Sequence, residues 1–185
     1  TITVDLGDGK AEASDGHRVL SCSGGVVEIE STRYPFCFYG DPAQTGSTRG
    51  VIEFLPFNDE LNRLTLAVKG GTAKRFKVTW GDACREYSAE QLAGGINLAA
   101  DFLDNPFSEP FRQVESKIAQ QQGLEVQLVK TLLHNLPAYK QMVPEEADVM
   151  ERIAKILVAK DKEARDASAA AVTPVKHVVK IDVVE

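Results

Sequence analysis

The sequence predicts an α+β fold, in which an antiparallel β-sandwich or jelly-roll-like N-terminal part is followed by a helical segment and a terminal β-strand. Short alternating runs of apolar and polar residues, separated by Gly, Asp, Ser and Pro, fill residues 1–87 without helical crossovers. Apolar stripes at helical spacing follow in residues 88–173. Residues 174–185 then alternate again. We therefore expect three parts with these bounds.

The β part is centred on two alternating runs on either side of Gly70-Gly71. Residues 61–69 and 75–80 each place apolar side chains at every second position, which predicts a hairpin with one solvated face. The polar segment 39–50 predicts a loop. The other predicted strands are residues 2–6, 18–21, 26–32, 51–55 and 84–87.

The helical part begins with a start signal at Ser88. Ser88 and Gln91 have the spacing of a capping box, and Gly94-Gly95 predicts the end of that helix. Asn97 predicts the cap of another short helix, and Asn105-Pro106 the start of a longer one. Helical stripes are then formed by Phe107, Phe111, Val114 and Ile118, and beyond Gly123 by Leu124, Leu128, Leu132 and Leu136, with Pro137 as the expected end.

The last helix and the terminal strand are predicted from their first residues and their periods. Pro144 suits a first helical turn because proline needs no hydrogen-bond acceptor there. Beyond the small-residue segment 167–173, alternation predicts a strand that returns to a sheet. His177 falls on its apolar face, so we expect a hydrogen-bonded core histidine. The residues on that face are Val175, His177, Val179, Ile181 and Val183.

Charge and composition exclude several classes of function. The net charge of -6 is spread through the sequence, which argues against nucleic acid as a partner. No apolar run approaches the roughly 20 residues needed to span a bilayer. The first residues lack the features of a signal peptide and begin like a strand, which indicates a fragment or a processed product. Cys22, Cys37 and Cys84 allow one disulfide but fit buried thiols better.

The residues that could carry catalysis or bind a metal do not form a recognisable motif. Ser14, Asp15 and His17 are too close in sequence for a typical triad, and they predict a turn. The histidines lie in different predicted elements, so we expect no metal site and no cofactor. Glu28 and Glu30 are neighbours on the polar face of one predicted strand, where solvation is the ordinary explanation.

Aromatic residues form a cluster in sequence beside the polar loop. Core packing is the expected role, and lining a ligand groove or docking another domain is the alternative. The cluster consists of Tyr34, Phe36, Phe38, Tyr39, Phe54 and Phe57.

The amino-acid sequence resembles the C-terminal region of bacterial SGNH, or GDSL-type, ester hydrolases, especially large secreted members. The resemblance covers nearly the whole chain and involves no catalytic motif. It rests on the runs RYPFCFYG (33–40), FLPFNDELNRLTLAVKG (54–70), KVTWGD (77–82), YSAEQLAGGINLA (87–99) and DFLDNPFSEPF (101–111).

The catalytic blocks of that family cannot be transferred to this sequence. Ala83 stands where the serine of the GDS block would follow Gly81-Asp82, and Asp15-Gly16-His17 is one residue too short for D-x-x-H. The resemblance therefore implies a non-catalytic module of a secreted or periplasmic esterase acting on acyl or acetyl esters. The module would pack on the catalytic domain of the same parent chain or shape its substrate entrance.

Four residues are the expected substrate contacts, because they combine polar tips with aromatic surface beside a loop. They are Arg33, Tyr34, Phe57 and Asn58. The alternative is an independent carbohydrate-binding β-sandwich, favoured by exposure of Tyr34, Tyr39 or Trp80. A complete hydrolase would instead need a Ser–His hydrogen bond. Solvent-exposed helical stripes would indicate a partner domain that covers them.

Overall fold

Two mostly antiparallel β-sheets, helices in the middle and C-terminal regions, and a terminal strand confirm the predicted α+β class. These features come from a computed structural model, which describes residues 1–184. The chain forms two compact units, one made of residues 1–111 with the terminal strand and the other of residues 112–173. The predicted three-part division of the chain stays a prediction.

The smaller sheet contains four strands in the order β2-β1-β5-β8. β1 (Ile2–Asp5) pairs antiparallel with β2 (Lys10–Ala13) and parallel with β5 (Thr65–Lys69), which in turn pairs antiparallel with β8 (Ile96–Asn97). Ile2, Val4, Leu66 and Val68 all point to the buried face. The alternation in the sequence therefore marks one face of this sheet as core.

The larger sheet contains five antiparallel strands in the order β3-β4-β9-β6-β7. The terminal strand occupies its centre, paired with β4 on one side and β6 on the other, which confirms the predicted return to a sheet. The strands are β3 (His17–Ser23), β4 (Val26–Ser31), β6 (Arg75–Trp80), β7 (Ala83–Ser88) and β9 (Val175–Val183).

Apolar side chains of both sheets pack into one core. Trp80 lies at its centre with no exposed surface, and its ring is perpendicular to that of Phe102 at a centroid distance of 6.0 Å. Phe107 packs against the indole at 5.9 Å. Burial of an aromatic side chain of this size stabilises the fold by about 2–3 kcal/mol. The two sheets are thus held together by the burial of apolar surface.

The predicted hairpin between residues 61–69 and 75–80 is wrong. β5 belongs to the four-stranded sheet and β6 to the five-stranded sheet, so the chain crosses between sheets at Gly70-Gly71. A Cβ on Gly71 would lie 2.4 Å from the Phe76 ring, which shows how closely the connection passes over the core. The prediction failed because two alternating runs joined by glycines show the same period-2 pattern whether the strands form a hairpin or belong to different sheets.

Short helices of the first unit follow the cap signals. The side chain of Ser88 accepts a hydrogen bond from the Gln91 backbone at 3.1 Å, and the Gln91 side chain accepts one from Ser88 at 2.8 Å, which confirms the capping box of α2 (Ala89–Gly94). Asn97 caps α3 (Leu98–Asp101) through its hydrogen bond with Ala99. The helix α1 spans Phe57–Glu60.

The predicted strand at residues 51–55 is wrong, because a 3₁₀ helix spans Arg49–Phe54 instead. Val51, Phe54 and Leu55 are exposed, and neither β-sheet includes this segment. Arg49 fixes this segment by donating to the Phe38 carbonyl at 3.2 Å and to Asp104 at 2.5 Å. A short apolar run cannot be assigned to strand or helix by its period alone.

The second unit is made of helices. α4 (Ser108–Val126) leads into a π-helical stretch, Gln127–Leu133, and then into α5 (His134–Met142). A 3₁₀ turn, Pro144–Glu146, precedes α6 (Ala147–Ala170). The predicted end at Pro137 is therefore wrong, because Pro137 lies inside α5. Pro137 has no backbone N–H to donate to the Leu133 carbonyl, and the π-helical stretch ends at Leu133.

Polar contacts join α4 and α6 inside the second unit. Asp161 is 6% exposed and accepts hydrogen bonds from Gln121 at 3.0 Å and from Arg165 at 2.8 Å. Arg165 also contacts Glu125 at 2.7 Å. This buried carboxylate is therefore paired, as burial of a charge requires. Several apolar side chains of the second unit are exposed: Ile118, Val126, Val129, Leu133, Val149, Ile153, Ile156 and Val158.

The turn between β3 and β4 gives a test of the fold. Gly24 and Gly25 have φ of 56° and 78°, as a two-residue type I′ turn requires. A Cβ on Gly25 would lie 2.3 Å from the Ile181 carbonyl oxygen, whereas one on Gly24 would have no neighbour within 4 Å. We expect Gly25→Ala to lower the free energy of unfolding by about 3 kcal/mol and Gly24→Ala by about 1 kcal/mol.

Urea unfolding followed by the fluorescence of Trp80, the single tryptophan, measures both changes in the first unit. Equal losses in the two variants would contradict the close approach of β9 to this turn.

Candidate functional site

A cavity of about 610 Å³ lies within the first unit. This volume is in the range of small-molecule sites. Its walls come from the start of β1, the turn before β3, the segment after β4, and the chain from α1 into β5. The lining residues are Thr1, Ser14, His17, Arg33, Tyr34, Pro35, Phe36, Phe57, Glu60, Leu61, Asn62, Arg63, Leu64 and Thr65.

Asparagine side chains fix one wall of the cavity. Asn62 accepts from the Phe36 backbone N–H at 2.8 Å and donates to the Phe36 carbonyl at 3.1 Å. Asn97 donates to the backbone carbonyls of Asn58 and Asn62, both at 2.9 Å, and accepts from Leu64 at 3.0 Å. Both side-chain amides are therefore satisfied, and their hydrogen bonds tie the Phe36 segment to the chain from Asn58 to Leu64.

Aromatic side chains pack against one another at the same wall. The rings of Phe36 and Phe57 meet edge to face at 5.6 Å, and Phe36 also packs against Phe38 at 4.9 Å and Phe111 at 5.0 Å. Phe38 is buried, whereas Phe36 and Phe57 are half-buried and also line the cavity. Phe54 and Tyr39 are exposed and do not take part.

Gly16 brings Arg33 beside His17. The turn at residues 14–17 closes with a hydrogen bond from the His17 N–H to the Ser14 carbonyl at 3.1 Å, which confirms the predicted turn. The Gly16 carbonyl then accepts from the Arg33 N–H at 3.4 Å. Gly16 has φ of 84°, and a Cβ there would lie 2.8 Å from the Arg33 Cβ. Only glycine fits this position without displacing Arg33.

A chain of hydrogen bonds runs from the core to the cavity across four neighbouring strands. Trp80 on β6 donates from Nε1 to His177 Nδ1 at 3.1 Å. His177 Nε2 on β9 lies 2.9 Å from Ser31 Oγ on β4, and Ser31 Oγ lies 2.7 Å from His17 Nδ1 on β3. Ser31 and His177 are buried, whereas His17 is half-buried and lines the cavity.

The direction of these hydrogen bonds is fixed at the indole. An indole N–H can only donate, so Nδ1 of His177 must accept, and Nε2 of the neutral ring must carry the proton. Ser31 accepts from that Nε2 and has one hydroxyl proton to donate, which goes to His17 Nδ1. His17 is therefore the Nε2-protonated neutral tautomer, the arrangement in which every buried donor of the chain has an acceptor.

Burial disfavours the charged form of both rings. It lowers the pKa of His177 to about 4, with a smaller contribution from His17. It also lowers the pKa of His17, followed by the charges of the Thr1 amino group and Arg33. The predicted hydrogen-bonded core histidine at position 177 is thus confirmed.

The structure places the expected substrate contacts in two positions. Arg33, Tyr34 and Phe57 line the cavity together. Asn58 is not among the lining residues, and its side chain accepts from Asn62 at 2.9 Å. His17 and Ser31 were not among the residues predicted to contact a substrate. Their link depends on the β3–β4 register, in which the two residues are direct partners, and no local motif marks that register.

Other sequence expectations concern charges, metals and cysteines. Glu30 pairs with Arg18 at 2.6 Å on the outer part of the sheet, as solvated strand carboxylates do. Among the residues that the structure describes, no cluster of three or more potential ligands could hold a metal ion, and no helix is long and apolar enough to cross a membrane. No disulfide joins Cys22, Cys37 and Cys84, and Cys84 is exposed rather than buried.

The aromatic residues that would mark a carbohydrate platform are mostly withdrawn from the surface. Trp80 is fully buried and Tyr34 is half-buried against Phe107, with the ring centroids 5.3 Å apart. Tyr39 is 43% exposed. Of these three rings, Tyr39 alone is exposed and available for stacking on a sugar.

The fold and the cavity define a two-sheet α+β protein with a polar site of ligand size. No protein-family model and no curated protein matches the sequence. One solved structure, BT4096, described as a gut microbial diltiazem-metabolizing enzyme, is similar over 99% of this chain and 49% of its own, with a TM-score of 0.58 and 18% sequence identity. The chain thus spans about half the length of that enzyme, and the similarity shows the fold.

The neutral His177 predicts how stability changes with pH. Its pKa is about 4 in the folded protein and near 6.5 when unfolded, so the unfolded chain binds more protons between these values. Stability is therefore complete above pH 6.5 and falls as the pH is lowered towards 4. We expect this histidine to account for a loss of about 3 kcal/mol by pH 4.

Urea unfolding at pH 7 and pH 4.5 isolates this contribution when the protein is compared with His177→Gln. The variant should lose less stability on acidification, and His134→Gln, at an exposed helical position, should behave as the unchanged protein. The same acid sensitivity in all three proteins would rule out His177 as its source.

Proposed function

We propose that this chain is a non-catalytic module of an SGNH/GDSL-type ester hydrolase acting on acyl or acetyl esters, and that it packs on the catalytic domain or shapes its substrate entrance. The observation that carries this proposal is the similarity of nearly the whole chain to about half of an enzyme. The other half of such a protein would hold the catalytic residues. A secreted or periplasmic location follows from the family resemblance.

The position of Ser31 supports a non-catalytic role. Ser31 has the Ser–His hydrogen bond that acyl transfer requires, at 2.7 Å from His17. However, a nucleophilic oxygen must reach the carbonyl carbon of the ester, and Ser31 has no exposed surface. Its hydroxyl instead joins two histidines within the sheet. We therefore assign Ser31 a structural role.

The cavity supports a role at a substrate entrance. The Arg33 guanidinium offers several charged N–H donors, and Tyr34 and Phe57 offer aromatic surface in the same cavity. Phe54, Leu55 and Leu61 are strongly exposed in the adjoining chain, and Leu61 itself lines the cavity. Apolar side chains in such numbers at one surface suit contact with another domain.

A carbohydrate-binding β-sandwich remains the second candidate, on the strength of the exposed Tyr39. Sugar stacking would then depend on this ring. Retention of the chain on insoluble xylan or cellulose, abolished by Tyr39→Ala, would favour this candidate over the first.

The proposed function is tested by esterase turnover. The 185-residue chain and the full product of its gene are assayed with p-nitrophenyl acetate. We expect turnover by the longer protein only. Serine-dependent turnover by the 185-residue chain alone would overturn the proposal.

Arg33→Ala in the full gene product tests the entrance role. We expect KM to rise about fivefold with kcat unchanged, because about 1 kcal/mol of substrate binding is lost. Arg85→Ala is the matched control, since Arg85 is an exposed arginine of the same unit that does not line the cavity. Equal KM values for both variants would place the substrate elsewhere.

A further inference from the structure

The imidazole of His17 has an N–H donor in the cavity that no described residue accepts. The hydrogen bond from Ser31 occupies Nδ1 of His17 and leaves the proton on Nε2. No described residue accepts from this Nε2, and no side-chain nitrogen or oxygen among the described residues is both buried and unpaired. The Nε2–H is therefore open to solvent. Because His17 lines the cavity, its Nε2–H can serve a ligand there.

Positive charge gathers at the same cavity in a protein whose net charge is -6. Arg33 and Arg63 both line it, and neither has an ion-pair partner among the residues that the structure describes. Glu60 is the one carboxylate of the lining, and it is exposed. The Ser14 hydroxyl, which also lines the cavity, accepts a hydrogen bond from the Thr1 amino group at 2.6 Å.

Aromatic side chains line the same cavity as these donors. Phe36 and Phe57 are fixed by their edge-to-face contact, and Tyr34 is held against Phe107. The volume of about 610 Å³ exceeds what an inorganic ion would fill. The combination of a planar cation, a neutral N–H donor and aromatic surface is suited to an organic anion.

We propose that this cavity binds a small organic carboxylate, with its carboxylate on the Arg33 guanidinium and the His17 Nε2–H and its apolar body against Tyr34, Phe36 and Phe57. Arginine is the side chain whose donors match a carboxylate in a two-point contact. A neutral histidine adds a directed donor without another charge. The site is formed by this chain alone, so it does not depend on the esterase assignment.

Titration of the 185-residue chain with sodium benzoate, followed by ¹H–¹⁵N spectra of the imidazoles, tests the proposal. The chain has three histidines, so the His17 signals can be assigned with single variants. In the free protein the ¹⁵N shifts should show His17 protonated at Nε2. Benzoate should then shift the Nε2–H signal with saturation and a Kd on the order of 1 mM.

Substitutions and matched ligands identify the contacts. Arg33→Ala should weaken benzoate binding at least tenfold, whereas Arg33→Lys should keep part of the affinity and Arg85→Ala all of it. Benzamide, which lacks the charge, and inorganic phosphate, which lacks the apolar body, should each bind at least tenfold more weakly. Retention of the native imidazole spectrum shows that a variant is folded.

Three results would overturn the proposal: equal affinity of Arg33→Ala and Arg85→Ala for benzoate, binding of phosphate as tight as that of benzoate, or an Nδ1-protonated His17. None of these readouts involves ester turnover. A failure here therefore leaves the esterase proposal intact, and the absence of turnover by the longer protein leaves this one intact.

Discussion

The hydrogen bond from the Trp80 indole to His177 sets the direction of every side-chain hydrogen bond that runs from it across the larger sheet to the cavity. It is buried in the core, 3.1 Å long, and its donor can act in one direction only. Once Nδ1 of His177 accepts, every later hydrogen bond to Ser31 and His17 has its direction assigned. A constraint in the middle of the core thus determines which hydrogen-bonding group the protein presents in the cavity.

The strand register of the larger sheet brings the side chains of this hydrogen-bonded chain next to one another. Ser31 is the direct partner of His17 on one side and of Val175 on the other. His177 lies two residues beyond Val175, and Trp80 is the partner of Val179, two residues further along the same strand. Side chains two apart share a face, and diagonal neighbours on adjacent strands are within reach of aromatic side chains. The polar chain therefore follows from strand alternation and register together.

Sequence periodicity was sufficient for the elements whose signals are local. The capping box at Ser88, the cap at Asn97 and the alternating strand that contains His177 all depend on residues within a few positions of one another. The hairpin between residues 61–69 and 75–80 failed because sheet membership depends on distant partners. β5 pairs with the N-terminal strand and β6 with the C-terminal strand. The residues at Gly70-Gly71 carry no sequence signal for either pairing.

The same distinction explains what could be predicted of the site. Arg33, Tyr34 and Phe57 were selected by residue type near a loop, and they do share the cavity. His17 was assigned to a turn, which is correct for its backbone but says nothing about its ring. Its protonation follows from Trp80 through two strands that are separated in sequence by most of the chain. Because burial disfavours charge on both imidazoles, the donor in the cavity and the acid sensitivity of the fold have a single physical origin.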